Sequence, residues 1–462
     1  MRRRFLLLLS GVLALVLVAC GTATPTTAPL PAPTVAPTAA PAQPAAIPTT
    51  AAAPKAMGDR LYVRDGNGVP ANRLSVIDAG SGTRVQDLPL GVPSPDWSTL
   101  YVTERGIEQT TVRALEPQTG QALRETTITG RFALPEEGSA GTPRGLSPNG
   151  RWLTLARGLT YAATTTSHLA VIDTAFAQPP KYVNLDGDFS FDALSNDGAS
   201  LYLIETLPPT GTATPGLGYK VRLYDMRTAT LQPGVIVDKT AIAQTMSGTR
   251  QSSMVSPDGQ WVYSLYLNQA KGPFIHMLNL NGRFSVCIFL PTTDKEDIAK
   301  QLLWSLAQTR DGQRLYAVNG ALGIVSEVDP NQLQVRRTVT LPMAAASAPG
   351  IVARVGTWLM PSVSAKGDAH SGGAALTPDS AILFVIAEHG LFAVNTSDLA
   401  LRGHYLSDML LSSINLSPDG VRLYAVSEGK NKNTLLSLDA ASGGTIKEIA
   451  GATHPWGVLG VG

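Results

Sequence analysis

Residues 58–462 are predicted to form an all-β fold of repeated four-stranded antiparallel units, and three observations carry that prediction. First, a tight polar turn followed by a short apolar strand recurs eight times: Arg60-Leu61-Tyr62-Val63, Leu100-Tyr101-Val102, Trp152-Leu153, Leu201-Tyr202, Trp261-Val262-Tyr263, Leu315-Tyr316, Ile382-Leu383-Phe384 and Leu423-Tyr424. Most of these strands follow a turn of the Pro-Asp-Gly type, as in Pro257-Asp258-Gly259 and Pro418-Asp419-Gly420. Second, every unit continues with another apolar strand closed by Asp78, Glu116, Asp173, Asp225, Asn279, Asp329, Asn395 or Asp439. Such side chains bond backbone amides two residues on and start the next turn, so turn chemistry explains them. Third, the spacing of roughly 50 residues per unit fits a propeller blade of four strands.

The two ends of the repeat region are complementary. The last residues, His454 to Val461, read as an innermost strand with nothing after it, and the first unit opens at Leu61-Tyr62-Val63 with no inner strand before it. Joined, they complete one blade and remove an open sheet edge that would otherwise pair with other chains. A single closed propeller follows, with eight blades as the expected number and seven as the alternative. The alternative arises because the second unit has almost no room for an inner strand before Pro93-Ser94-Pro95-Asp96.

Ahead of the repeats lie two segments of different character. Arg2, Arg3 and Arg4 precede an apolar run from Phe5 to Ala19, too short to span a bilayer comfortably, which is the pattern of a signal peptide. Leu17-Val18-Ala19-Cys20 resembles the lipobox of bacterial lipoproteins. That resemblance implies a lipid on the Cys20 thiol, cleavage before it over residues 1–20, and a mature chain held at the cell membrane outside the cytoplasm. Residues 21–57 are dominated by Thr, Pro and Ala, which bury too little to fold, and read as a disordered, polyproline-rich stalk.

Composition excludes whole classes of partner. Of 36 basic residues three lie in the signal, leaving 33 against 35 acidic ones, spread without runs. No basic footprint for nucleic acid exists in that balance. Cys287 is the only cysteine besides Cys20, and its apolar strand Phe284-Ser285-Val286-Cys287-Ile288-Phe289 predicts a buried, inert thiol. With no disulfide expected, stability has to come from blades covering one another's apolar faces.

Numbering the strands of a blade a to d from the axis outward, an antiparallel meander places the a–b and c–d turns on one face and the b–c and d–a loops on the other. The a–b turns are all tight. The long insertions, residues 158–167, 205–219 and 268–273 between strands b and c, and 131–142, 291–305 and 342–374 between d and a, therefore emerge together. Loops of that length in a compact domain are usually functional, which makes their face the expected binding surface.

Ser417-Pro418-Asp419-Gly420-Val421-Arg422-Leu423-Tyr424-Ala425-Val426 with Leu435-Leu436-Ser437-Leu438-Asp439 resembles the YVTN-type, WD40-like propeller repeats of bacterial surface and periplasmic proteins, as does Arg60-Leu61-Tyr62-Val63 with Leu74-Ser75-Val76-Ile77-Asp78. The resemblance implies a propeller in an extracytoplasmic setting and names no ligand. Eight-bladed quinoproteins are also similar in look, but where their repeats dock a Trp after a Thr-Gly pair this chain has Arg124, and Gln86 and Lys447 in two other units. No quinone, and no other cofactor, is expected.

Candidate chemistry is sparse. Asp186, Asp188, Ser190, Asp192 and Asp197 have the oxygen spacing of a calcium loop, but Phe191 stands where the turn needs Gly, and Phe189 to Leu194 reads as strand a. Asp368 and His370 in the longest d–a loop, Glu388 and His389 in the next b–c turn, and His454 at the closing loop all fall on the insertion-rich face, with Trp358 adding an aromatic. His and carboxylates brought together can ligate a metal or move protons, though no strict ligand spacing singles out a metal here. The sequence therefore predicts a monomeric, lipid-anchored binding module for an extracytoplasmic protein or small ligand. Its rival is a propeller hydrolase or lyase of the lactonase type, with a metal or acid-base pair near the channel mouth.

Overall fold

A computed structural model describes residues 59–66, 73–137, 142–157, 166–207, 218–237, 246–268, 271–294, 297–342, 373–429 and 432–462. Eight antiparallel blades form the ring, seven with four strands, and each follows the order a, b, c, d from the axis outward. Uninterrupted runs of buried residues along the b and c strands, such as Leu201–Leu203 or Leu315–Ala317, put apolar side chains on both sheet faces, because each middle strand has a neighbouring blade on either side.

The ring closes as the complementary ends require. Pro455–Val461 is strand a of blade 1 and pairs antiparallel with Arg60–Asp65, which is followed by Arg73–Asp78 and Thr83–Pro89. Arg60 and Gly462 exchange both backbone hydrogen bonds, at 2.7 and 2.9 Å, so the two ends of the domain meet in one ladder. The doubtful inner strand of blade 2 exists, but as two residues, Val92–Pro93. Blade 3 is the thinner one. Its inner strand shrinks to a single bridge, Leu146 with Leu153, beside the three full strands Trp152–Ala156, Thr166–Asp173 and Lys181–Asp186.

Eight apolar clusters hold the blades together, one at each junction. The closing junction is built like the others: Tyr424, Val426 and Leu435 of blade 8 pack on Leu61, Val63, Ile77 and Val458 of blade 1. Each fully buried Leu, Ile or Val in these seams contributes roughly 1.5–3 kcal/mol of transfer free energy.

One expectation needs correction, and one insertion carries order of its own. Cys287 lies in the outermost strand of blade 5, Phe284–Phe289, and is partly exposed, because an edge strand at the periphery is covered incompletely. Its Sγ stands 3.7 Å from Nδ1 of His276, its cross-strand partner. Insertion 291–305 is in part an ordered cap: Ile298–Gln301 is a single helical turn, and the Gln301 amide donates to the Thr293 and Asp294 carbonyls at 2.6 and 3.2 Å. The Trp304 indole reaches the same amide oxygen at 3.4 Å, so this loop folds back over blade 6.

Candidate binding surface

The two faces of the ring are built by different rules. At the a–b turns one arrangement repeats in seven blades: a Ser or Thr hydroxyl donates to the Asp or Asn two residues on, and accepts the amide five residues on. In blade 8, Ser417 Oγ lies 2.5 Å from Asp419 Oδ1 and 2.9 Å from the Arg422 amide, and the Val421 amide donates to Asp419 at 3.0 Å. Hydrogen bonds to the charged form favour it. The Ser94 hydroxyl holds the Asp96 carboxyl below the usual range, and Thr309, Thr377 and Ser417 do the same for Asp311, Asp379 and Asp419.

On the same face the c–d turns are stitched from blade to blade. Gln86 donates to the Pro117 and Gln118 carbonyls, Arg124 to Thr174, Arg337 to Thr396 and Ser397, the Tyr405 hydroxyl to Ala441, and Lys447 to Gly80. Gln86, Arg124 and Lys447 are the positions where a docking Trp was missing. The structure replaces that apolar girdle with long polar side chains that cap the neighbour's turn carbonyls, and Arg124 also lies over the Phe176 ring at 5.9 Å.

The opposite face carries all six insertions, since the observed strand order confirms which connections share an end. Glu388 and His389 occupy the tight turn between Ile382–Ile386 and Leu391–Asn395, both half-buried. Gly390 donates to the Met409 carbonyl at 2.7 Å, and the His389 carbonyl accepts Nε2 of His404 at 2.8 Å, so the turn is held at its backbone. The His389 ring nitrogen Nε2 is buried without a hydrogen-bond partner. Gly373, at the end of the longest insertion, accepts the Ile386 amide at 2.9 Å, which sets that insertion's exit beside the Glu388 turn. Trp358, Asp368 and His370 lie outside the described residues. His454 is exposed in the closing loop of blade 1, two blades beyond the Glu388 turn with blade 8 between them. Among the described residues no hydrogen bond or ion pair joins Glu388, His389 and His454, and no group of three or more His, Cys, Asp or Glu is arranged to hold a metal. The calcium spacing dissolves as well: Asp192 sits within strand a, 3.5 Å from Arg250 Nη1, while Asp197 serves the a–b turn at the other end.

Two features of this face had no signal in the local sequence. One is the buried Asp192–Arg250 pair, on the innermost strands of blades 4 and 5, with the Arg144 guanidinium donating to the Asp192 carbonyl. Burying such charges is costly, so removing either partner would leave the other charge uncompensated. The other is the clasp at Asp65, whose carboxylate is fully buried at the end of strand b in blade 1. It accepts the Thr453 and His454 amides at 3.0 and 2.6 Å, the Ser75 hydroxyl at 3.2 Å and the Arg84 guanidinium at 2.7 Å. Burial works to raise its pKa, but those donors prevail and hold it below the usual carboxylate range.

No family model and no curated protein matches the chain. Among solved structures it is similar to a dihydro-heme d1 dehydrogenase, NirN, in complex with DHE, at 12% identity and a TM-score of 0.50, over 87% of this chain and 74% of that one. It is similar also to apo AztD from Citrobacter koseri, at 14% identity and a TM-score of 0.49, over 86% and 96% of the two chains. The Pseudomonas aeruginosa periplasmic gluconolactonase PpgL matches at 17% identity and a TM-score of 0.41, over 77% and 96%. Identities this low speak to the propeller fold alone.

Proposed function

We propose that this chain is a lipid-anchored, extracytoplasmic propeller that binds a protein partner or ligand through its insertion-rich face. The observation that carries the reading is the asymmetry of the ring: one end of every blade is a short turn, seven of them locked by a hydroxyl paired with an Asp or Asn side chain, while all long insertions leave from the other end. Neutral insertions would scatter over both ends. The first strand of the ring begins, at Arg60, on the locked face.

Cys20→Ala in the full chain tests the anchor: it should move the protein from the membrane fraction to the soluble one, since lipid on that thiol is the only attachment the reading supplies. Retention on membranes after a salt wash would reject it. Replacing residues 342–374 of the full chain with a short Gly-Ser connection tests the face. Closing that loop differently costs little, so the melting temperature should hold while cross-linking to an extracytoplasmic partner is lost. Unchanged capture by that variant, or turnover of a sugar lactone by the parent protein, would turn the reading toward the locked face or toward an enzyme.

A further inference from the structure

Trp456 is the exposed tryptophan among the described residues, 39% accessible, whereas Trp97 stacks on Tyr62 and Trp152, Trp261 and Trp304 pack into the seams. Its position follows from an irregularity of the closing strand. Arg64 pairs with Gly457 and Asp65 with Pro455, so Trp456 is the extra residue of a β-bulge. Bulges re-aim side chains, often beside functional sites. Here the indole leaves the inter-blade seam and reaches the insertion-rich face at the innermost strand. It is also oriented: the indole N–H donates to the Gly66 carbonyl at 3.1 Å, which fixes the ring edge. His454 lies two residues earlier, in the bend that leads into the strand, and is exposed as well.

The backbone beneath this pair is held by the Asp65 clasp, by Gly66 donating to the His454 carbonyl at 3.3 Å, and by the Asn433 amide donating to the Pro455 carbonyl at 3.0 Å. Much of the ordering cost of a binding surface is thereby met before any ligand arrives. Charge at the clasp balances, with Asp65 and Asp87 against Arg73 and Arg84. A flat apolar platform with a polar ring at its edge and no net charge beneath it suits a neutral ring that has an apolar face and a hydroxyl-bearing rim. Phosphorylated or polyanionic ligands would need a basic surround that is absent from the clasp.

We propose that Trp456 is a preformed stacking platform for a neutral pyranose of an extracytoplasmic glycan, with His454 as its hydrogen-bonding edge. The proposal deepens the binding reading above and rests on it. Full-length protein in detergent is titrated with neutral oligosaccharides of glucose, mannose, galactose and N-acetylglucosamine, following indole fluorescence and heat. At least one series should bind with a dissociation constant below about 10 mM, and Trp456→Ala should weaken it at least about tenfold, as for other ring stacks on aromatic side chains. Trp456→Phe, which keeps a flat ring, should recover most of that loss, and unchanged melting of both variants separates binding from folding. The proposal is overturned if no neutral series binds, if Trp456→Ala binds as the parent does, or if only aromatic peptides or anionic sugars are retained. Failure here, together with lost partner capture on replacing residues 342–374, would remove the platform and leave the face reading standing.

Discussion

The locked face and the insertion-rich face are opposite ends of the same strands, yet they obey different constraints. At the locked end, chain direction reverses in a few residues, and the reversing amides have to be satisfied within the turn itself. Ser417 and Asp419, like their counterparts in six other blades, do that with two side chains. At the insertion-rich end the connections are satisfied by unrelated means: a short helix and Gln301 over blade 6, a buried carboxylate at blade 1, a single backbone bond from the Gly390 amide to the Met409 carbonyl beside blade 8. Repetition at one end is what permits divergence at the other, because the strands' register is already set by the turns.

The largest effect should come from the closing strand. Deleting Trp456 to Gly462 removes the partner of Arg60–Asp65 and opens blade 1, so the whole domain should lose its cooperative melt, read by near-ultraviolet dichroism and calorimetry. A deletion variant melting at the parent temperature would show that closure is dispensable. Next in size is Asp65→Ala, which leaves Arg84 and two amides without their acceptor. Breaking a buried, charged network costs about 3 kcal/mol, taken at the low end because Arg84 is partly exposed. For a domain of this size that is a fall in melting temperature of about 4 °C.

Smaller effects separate the two faces directly. Ser417→Ala should cost about 1 kcal/mol, the worth of one hydroxyl that both donates and accepts. Lys432→Ala, in a b–c loop of the same blade, should stay within about 0.5 kcal/mol in chemical denaturation. Equal losses would break the comparison. Acid supplies the last test. The Asp96, Asp311, Asp379 and Asp419 carboxyls titrate below their unfolded value, so their stabilisation is complete above about pH 4 and is lost as pH falls from there through the lowered folded values. Melting temperature should therefore be insensitive to these groups between pH 5 and 8 on the order of a degree, and decline below pH 4. Ser417→Ala should lessen that decline slightly, since Asp419 then loses the hydroxyl that holds its carboxyl low.

The sequence by itself determined the repeat, the strand order within a blade, the closing of the ring by its two ends and the face on which long loops emerge. These are legible because turn chemistry and strand alternation are local: an Asp-Gly turn and a Leu-Tyr-Val strand carry their meaning within ten residues. The Ser or Thr two places before each turn carboxylate was equally local and was a signal within reach. Tertiary structure alone decided the rest. Asp65 meets Thr453 and His454 across the whole length of the domain, and Gln86, Arg124, Arg337, Tyr405 and Lys447 do one job with four different side chains, so no spacing or residue type reveals either. The exposure of Cys287 and Trp456 followed from an edge strand and a bulge, features set by how far neighbouring blades reach and where register slips, and hydrophobicity along a chain does not encode which of its apolar residues a neighbour will cover.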